Sequence, residues 1–213
     1  MNKKRKVINY SAKLDKLYHQ FIRQMTPLYE PVEKVRALFN WLWIEKTARY
    51  KPQGNYRLNE VIDAQLSDDA EAVGNCLGLT LLYNCLVRRM GIRAEALYLE
   101  NAFEIGPHVL TMLQIKESII DIENIFPDGF DYKGHLNNSS RTKWGDQELV
   151  ADIYHSFGNE LFLKGEFIKA LENYDRAIYL NPQYEKAQLN KVILLDKMKG
   201  ENRAPSLSQN DKL

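Results

Sequence analysis

Three residues in the middle of the chain are of the types that perform nucleophilic catalysis: Cys76, His108 and Asp121. Cys76 follows the small-residue turn Gly74-Asn75 and opens an apolar segment. A thiol in the first turn of a helix lies beside unpaired N–H groups and the positive end of the helix dipole, both of which favour the thiolate. A buried cysteine that only packs is the competing interpretation, and the residue type alone does not separate the two.

The elements that would position these residues can be predicted from the hydrophobic pattern. Apolar residues recur at steps of three and four between Cys76 and Met90, and Gly91 follows, which predicts a helix with a glycine at its C-terminal end. Three segments come next that are predicted strands: 93–100, 108–116 and 118–125, the last because β-branched residues dominate it. His108 and Asp121 thus lie on consecutive strands, in an order that suits a thiolate, its base and the carboxylate that orients the base.

The register between the second and third strands sets the distance between the base and the carboxylate. If Lys116 and Glu117 form a two-residue turn, Asp121 lies opposite Met112, on the same face as His108 but four residues, or about 13 Å, away. Either the turn comes earlier, or a bulge or twist closes the gap.

Several segments match one family. They are Val35-Arg36-Ala37-Leu38-Phe39-Asn40-Trp41, Leu58-Asn59-Glu60-Val61-Ile62, Gly74-Asn75-Cys76 running to Arg88-Arg89-Met90-Gly91-Ile92, Pro107-His108-Val109-Leu110 and Ile120-Asp121. Residues 33–125 on this basis resemble the transglutaminase-like, papain-related superfamily, above all its bacterial branch with C-terminal tetratricopeptide repeats. The resemblance implies an α+β fold, in which a helix bearing the cysteine at its N-terminus packs on an antiparallel sheet, and a Cys76-His108-Asp121 triad. It also implies an oxyanion-binding residue upstream of the cysteine, for which Gln53 and Tyr56 are candidates.

Composition and spacing exclude several other classes of function. The formal net charge is +1, so we expect neither a nucleic-acid nor a membrane partner, and no apolar run reaches membrane-spanning length. Cys76 and Cys85 are nine residues apart and would face opposite sides of one helix, which argues against a disulfide and for a reducing, cytoplasmic location. The four histidines are widely spaced and no metal-binding motif occurs, so we expect no metal and no cofactor.

The remainder of the chain predicts further helices. Upstream, helical periodicity covers 11–25, with Ser11 as the expected N-cap, and then 32–48 and 57–66. Downstream, Phe157-Gly158, Ala170, Tyr174 and Pro182 fit the tetratricopeptide pattern, in which small residues occupy the helix crossing. A helix over 185–199 would cap this hairpin. One repeat and a capping helix are too few to cover their own apolar faces. We therefore expect this segment to dock on the N-terminal domain or to form a homo-oligomer.

The expected organisation is a transglutaminase-like domain with N-terminal helices over 1–130, a linker or lid over 131–147, the tetratricopeptide repeat with its capping helix over 148–200, and a disordered tail over 201–213. Two functions fit it. One is a cysteine-dependent acyl transferase or hydrolase that acts on amide or ester bonds of a peptide or protein. The alternative is a non-catalytic protein–protein interaction module that uses the transglutaminase-like core as a scaffold.

Overall fold

The computed structural model describes residues 3–25 and 30–201, and the chain divides into two compact units at Gly145 and Asp146. The first unit contains α1 (Lys3–Gln24), α2 (Pro31–Glu45), α3 (Leu58–Leu66), α4 (Cys76–Arg89), β1 (Ala94–Ala102), β2 (Gly106–Ile115), β3 (Ser118–Ile122) and β4 (Thr142–Trp144). The second contains α5 (Asp146–Leu163), α6 (Phe167–Leu180) and α7 (Glu185–Glu201). The chain is therefore α+β. From residue 202 onward, the predicted tail lies outside the described residues.

The predicted elements are present, with differences at their ends. The helix expected from Ser11 begins at Lys3, so the prediction of an N-cap at Ser11 is wrong. Lys and Arg are good helix formers, and the polar segment before Ser11 joins the helix without a break. β4 is only three residues long and was not predicted, because so short a strand has no detectable period.

The core of the first unit is formed by α1 to α4 together with the sheet, and α2 meets α4 inside it. Tyr83 of α4 is fully buried, and its hydroxyl donates a hydrogen bond of 2.7 Å to the carbonyl oxygen of Val35 on α2. The ring of Phe39 packs edge-to-face on that of Tyr83, with 6.1 Å between centroids. These contacts fix α4, and with it the position of Cys76 at its N-terminal end.

The sheet is antiparallel, with the strand order β3-β2-β1-β4. Ile115 pairs with Ser118 and Met112 with Asp121, so Lys116 and Glu117 do form the two-residue turn considered above. Lys116 has a φ of 56°, as a tight hairpin turn requires. At the start of β2, His108 pairs with Leu99 of β1.

Buried polar side chains join α4 to the sheet. The side-chain amide of Asn124 donates to Thr80 Oγ1 of α4 at 3.2 Å and to Thr111 Oγ1 of β2 at 3.0 Å. Thr111 Oγ1 in turn donates to Asn84 Oδ1 of α4 at 2.7 Å. Because these groups are buried and satisfy one another, they fix the chain just after β3 against both the helix and the sheet.

The segment between β3 and α5, predicted to be largely a linker or lid, belongs to the first unit. β4 pairs with β1, and the Trp144 ring stacks on Tyr98 with 4.0 Å between centroids. Glu123 N–H donates to the carbonyl oxygen of Gly129 at 2.8 Å. A Cβ at Gly129 would lie 1.9 Å from the carbonyl oxygen of Glu123, so only glycine allows this approach.

In the second unit, α5 and α6 form a helical hairpin on which α7 packs. Gly158 lies against the ring of Tyr174, where a Cβ would come within 2.5 Å of Cε1. The Tyr174 hydroxyl donates to Asn159 Oδ1 at 2.8 Å, and Asn190 of α7 donates to the same oxygen at 2.8 Å. None of the helices in residues 3–25 and 30–201 combines the length and apolarity needed to cross a membrane.

Candidate functional site

The site begins at the turn before α4. Asn75 is the N-cap of this helix, and its side chain accepts a hydrogen bond of 3.0 Å from Gly78 N–H. Cys76 is the first helical residue and is half-buried. The thiol therefore lies at the helix N-terminus, as predicted, where the first-turn N–H groups have no intrahelical partner.

A loop from residues 49–55 holds this turn in place. Val73 N–H and Gly74 N–H both donate to the carbonyl oxygen of Arg49, and Asn75 N–H donates to that of Asn55. A Cβ at Gly78 would lie 2.2 Å from the Asn55 carbonyl oxygen, so the loop packs directly on the first turn of α4. Because Gly78 has no side chain, the loop can pack this closely, and it thereby fixes the backbone that carries the thiol.

His108 is the residue that links the thiol to a carboxylate. It is 5% exposed, its Nε2 lies 2.8 Å from Glu123 Oε2, and Cys76 is near enough to raise its pKa. Because Nε2 faces Glu123, Nδ1 is the ring nitrogen left for the thiol. Burial alone would lower the pKa of His108, but the hydrogen bonds to Cys76 and Glu123 and their negative charges raise it to about 10.

The carboxylate at the site is that of Glu123, which lies just beyond the end of β3 and is fully buried. Its Oε2 accepts hydrogen bonds from His108 and also from His135 Nε2, at 3.2 Å. Burial would raise the pKa of Glu123, but the bonds to His108 and His135 hold it below its ordinary value. Its Oε1 has no hydrogen-bond partner among the described residues.

Asp121 is not the partner of His108, which corrects this part of the predicted triad. The Asp121 carboxylate is bound by Arg141, at 2.7 Å from Nη1 and 3.3 Å from Nη2. The register explains the difference. Asp121 lies opposite Met112, four residues from His108, whereas Glu123 is on the same face and two residues nearer. No bulge closes the gap; the carboxylate simply comes from the next residue on that face.

Asp121 nevertheless supports the site through Arg141. The same Nη1 of Arg141 donates to the carbonyl oxygen of His135 at 3.0 Å, and Tyr132 N–H donates to the carbonyl oxygen of Asp121 at 2.9 Å. His135 is 4% exposed, and its ring packs against Phe103 with 4.7 Å between centroids. The loop after β3 is thus tied down at the point where it delivers a second histidine to Glu123.

The two candidates for oxyanion binding, Gln53 and Tyr56, stay predictions. Gln53 is exposed, and the Tyr56 hydroxyl accepts a hydrogen bond of 3.0 Å from Arg57. Tyr50 is close enough to the site for its pKa to be raised by burial and then by the charges of Cys76 and Glu123. It pairs with Gly74 in an isolated bridge, an arrangement that no local sequence pattern reveals.

The structure therefore brings together Cys76, His108, Glu123 and His135, of which the sequence predicted the first two. Alternate side chains of a strand share a face, so the predicted third strand already placed Glu123 on the same face as Asp121. The approach of His135 depends on the path of a loop and carried no such signal. The wide spacing of the histidines indicated no metal site, yet the fold brings two of them to one carboxylate.

Comparisons of the chain with family models, curated proteins and solved structures give no match.

Proposed function

We propose that the chain is a cysteine-dependent hydrolase or acyl transferase that acts on amide or ester bonds of a peptide or protein. The observation that carries the proposal is the placement of His108 between a thiol at a helix N-terminus and a buried carboxylate. A base that is oriented by a third group and lies beside a nucleophile is the arrangement that activates a weak nucleophile. The catalytic set is then Cys76, His108 and Glu123.

The reaction follows from the roles of these groups. Cys76 Sγ attacks the carbonyl carbon of the substrate as the thiolate, with its proton already on His108. The tetrahedral intermediate collapses as the amine or alcohol leaves with the proton from His108, and a thioester remains on Cys76. Water or an acceptor amine then attacks the thioester, His108 takes a proton from it, and the acid or new amide departs as the thiol regains that proton.

Two kinds of donor are available for the oxyanion. The N–H group of Cys76 belongs to the first turn of α4, and the Tyr50 hydroxyl is close enough to be influenced by the charge of Cys76. Glu123 is too deeply buried to contact a substrate, so its role is to hold the ring of His108 and to stabilise its imidazolium form.

The same set of features supports membership of the transglutaminase-like superfamily, with Glu123 in the role predicted for Asp121. A helix with cysteine at its N-terminus, packed on an antiparallel sheet that carries the histidine, is the core which that resemblance implies. The close contact of Gly158 with Tyr174 supports the further proposal that the second unit is a tetratricopeptide repeat.

The test is acylation of the thiol by an activated ester. The full chain should release p-nitrophenol from p-nitrophenyl acetate, and mass spectrometry of the trapped protein should find the acetyl group on Cys76. Cys76→Ser should abolish the acetylation, whereas Cys85→Ser, a matched change on the same helix, should retain it. Equal release by the wild type and Cys76→Ser would overturn the proposal.

The alternative function, a binding module without catalysis, is favoured by one observation. Three apolar residues of α7 are exposed: Leu189, Val192 and Ile193, at 58%, 55% and 48%. An inert thiol in the acetylation experiment would favour this function, with a peptide as the ligand of the helical unit.

A further inference from the structure

His108, Glu123 and His135 form a set of potential metal ligands that the proposed acyl-transfer chemistry does not require. One ligand atom from each lies within 4.8 Å of the other two, and all three side chains are buried. Glu123 Oε2 is 2.8 Å from His108 Nε2 and 3.2 Å from His135 Nε2. In a tetrahedral zinc site, with ligands at about 2.0–2.1 Å from the ion, neighbouring ligand atoms are about 3.4 Å apart. The two carboxylate–imidazole distances are somewhat shorter than that value, and the two imidazole nitrogens lie within 4.8 Å of each other, so small side-chain movements would admit the ion.

The chemistry of the three groups also suits a cation. Two imidazoles and one carboxylate are the ligand types that Zn²⁺ takes in open, three-ligand sites, and that other first-row divalent ions such as Fe²⁺ also accept. Glu123 is fully buried, and its Oε1 has no hydrogen-bond partner among the described residues. A buried carboxylate oxygen without a partner is costly, and a cation beside the group would remove that cost.

The surroundings hold the ligands where a metal would need them. His135 is carried by the loop that Arg141 anchors, through its bonds to the His135 carbonyl oxygen and to Asp121. Phe103 packs against the ring of His135, and also against that of His108 with 5.5 Å between centroids. Outer contacts of this kind fix ligand orientation in metal sites. A second histidine and a dedicated Asp121–Arg141 anchor are more than a Cys-His-Glu triad needs.

We propose that His108 Nε2, Glu123 and His135 Nε2 bind Zn²⁺ or a similar first-row divalent cation. The ion takes the place of the hydrogens that now lie between the two rings and the carboxylate, and these leave to solvent as protons. The fourth coordination position is left to water. Cys76 is not a member of this ligand group.

Binding itself can be tested without any assay of catalysis. The full chain, free of any affinity tag and treated with a chelator, is titrated with Co²⁺ and followed by visible absorption, then with Zn²⁺ in competition with a chelating dye. One equivalent should bind. Loss of an outer-shell partner typically costs about 10–100-fold in affinity, so loss of a ligand in His135→Gln or Glu123→Gln should cost at least about 100-fold. His19→Gln, which changes an exposed histidine outside the cluster, should bind as the wild type does.

Two further variants separate this site from adventitious binding by thiols and from failure of the acyl-transfer proposal. Cys76→Ser and Cys85→Ser should both keep the Co²⁺ site, whether or not the protein proves to be an acyl transferase. Circular dichroism verifies that the histidine and glutamate variants are folded; if His135→Gln is not, His135→Asn and Glu123→Gln decide the question. No binding by the wild type, or binding lost in Cys76→Ser but kept in the folded His135 and Glu123 variants, would overturn the proposal.

Discussion

Glu123 Oε2 lies 2.8 Å from His108 Nε2, and it reaches this position from one residue beyond β3 rather than from within the strand. The carboxylate is buried completely, so it acts on the thiol only through the imidazole. Asp121, two residues earlier on the same face, is committed to Arg141. The roles of these two acidic residues are therefore different and can be separated by experiment.

Glu123→Gln should weaken the thiol chemistry far more than Asp121→Asn. The amide cannot stabilise the imidazolium form of His108, and base catalysis of this type contributes at least about 100-fold. We therefore expect acetylation of Cys76 by p-nitrophenyl acetate to fall by about 100-fold in Glu123→Gln, measured by stopped-flow absorbance. The prediction fails if the folded Asp121→Asn protein loses as much or more.

Asp121→Asn should instead reduce stability. The Asp121 side chain is 2% exposed and that of Arg141 is 23% exposed, and breaking a buried ion pair typically costs about 3–5 kcal/mol. We expect a loss near the lower end, about 3 kcal/mol, from urea unfolding of Asp121→Asn. Arg141→Gln should lose a similar amount, and the double variant less than the sum, because the pair is a single interaction. Additive losses would show that the two residues do not act together.

The sequence predicted those parts of the fold that depend on local pattern. The helix after Cys76, the strands that carry His108 and Asp121, and the turn at Lys116 follow from hydrophobic period and residue type. The identity of the orienting carboxylate depended on where a twisted strand ends, which period alone does not give. His135 was not predicted, because its approach to Glu123 is set by the Arg141 anchor, a contact between residues with no common pattern.

Gly78→Ala should destabilise the protein although alanine is the better helix former. In an exposed helix this change would stabilise by about 1 kcal/mol. At Gly78, the new Cβ would lie 2.2 Å from the Asn55 carbonyl oxygen and 2.7 Å from Val61 Cγ2, so the loop over the turn must move. We expect a net loss of about 1–3 kcal/mol on urea unfolding, together with slower acetylation of Cys76. A higher melting temperature in Gly78→Ala would show that the loop does not confine the turn.

The stability of the fold should depend on pH through His108. Its pKa is raised from 6.5 to about 10, so protonated His108 stabilises the folded state fully below about pH 6.5 and the contribution is lost as the pH rises through 10. The pKa of Glu123 is lowered instead, so its contribution is present above about pH 4.5 and is lost as the pH falls.

The difference in melting temperature between the wild type and His108→Gln, measured with a chelator present, should therefore be largest near pH 6 and shrink towards pH 10. Taking the difference removes the contributions that lysines and tyrosines, which titrate in the same range in both proteins, make to the melting temperature. When both proteins also carry Glu123→Gln, their melting-temperature difference should change less between pH 6 and pH 10, because the Glu123 charge is one of the causes that raise the pKa of His108. A difference that stays constant from pH 6 to pH 10 would mean that His108 is neutral in the folded protein.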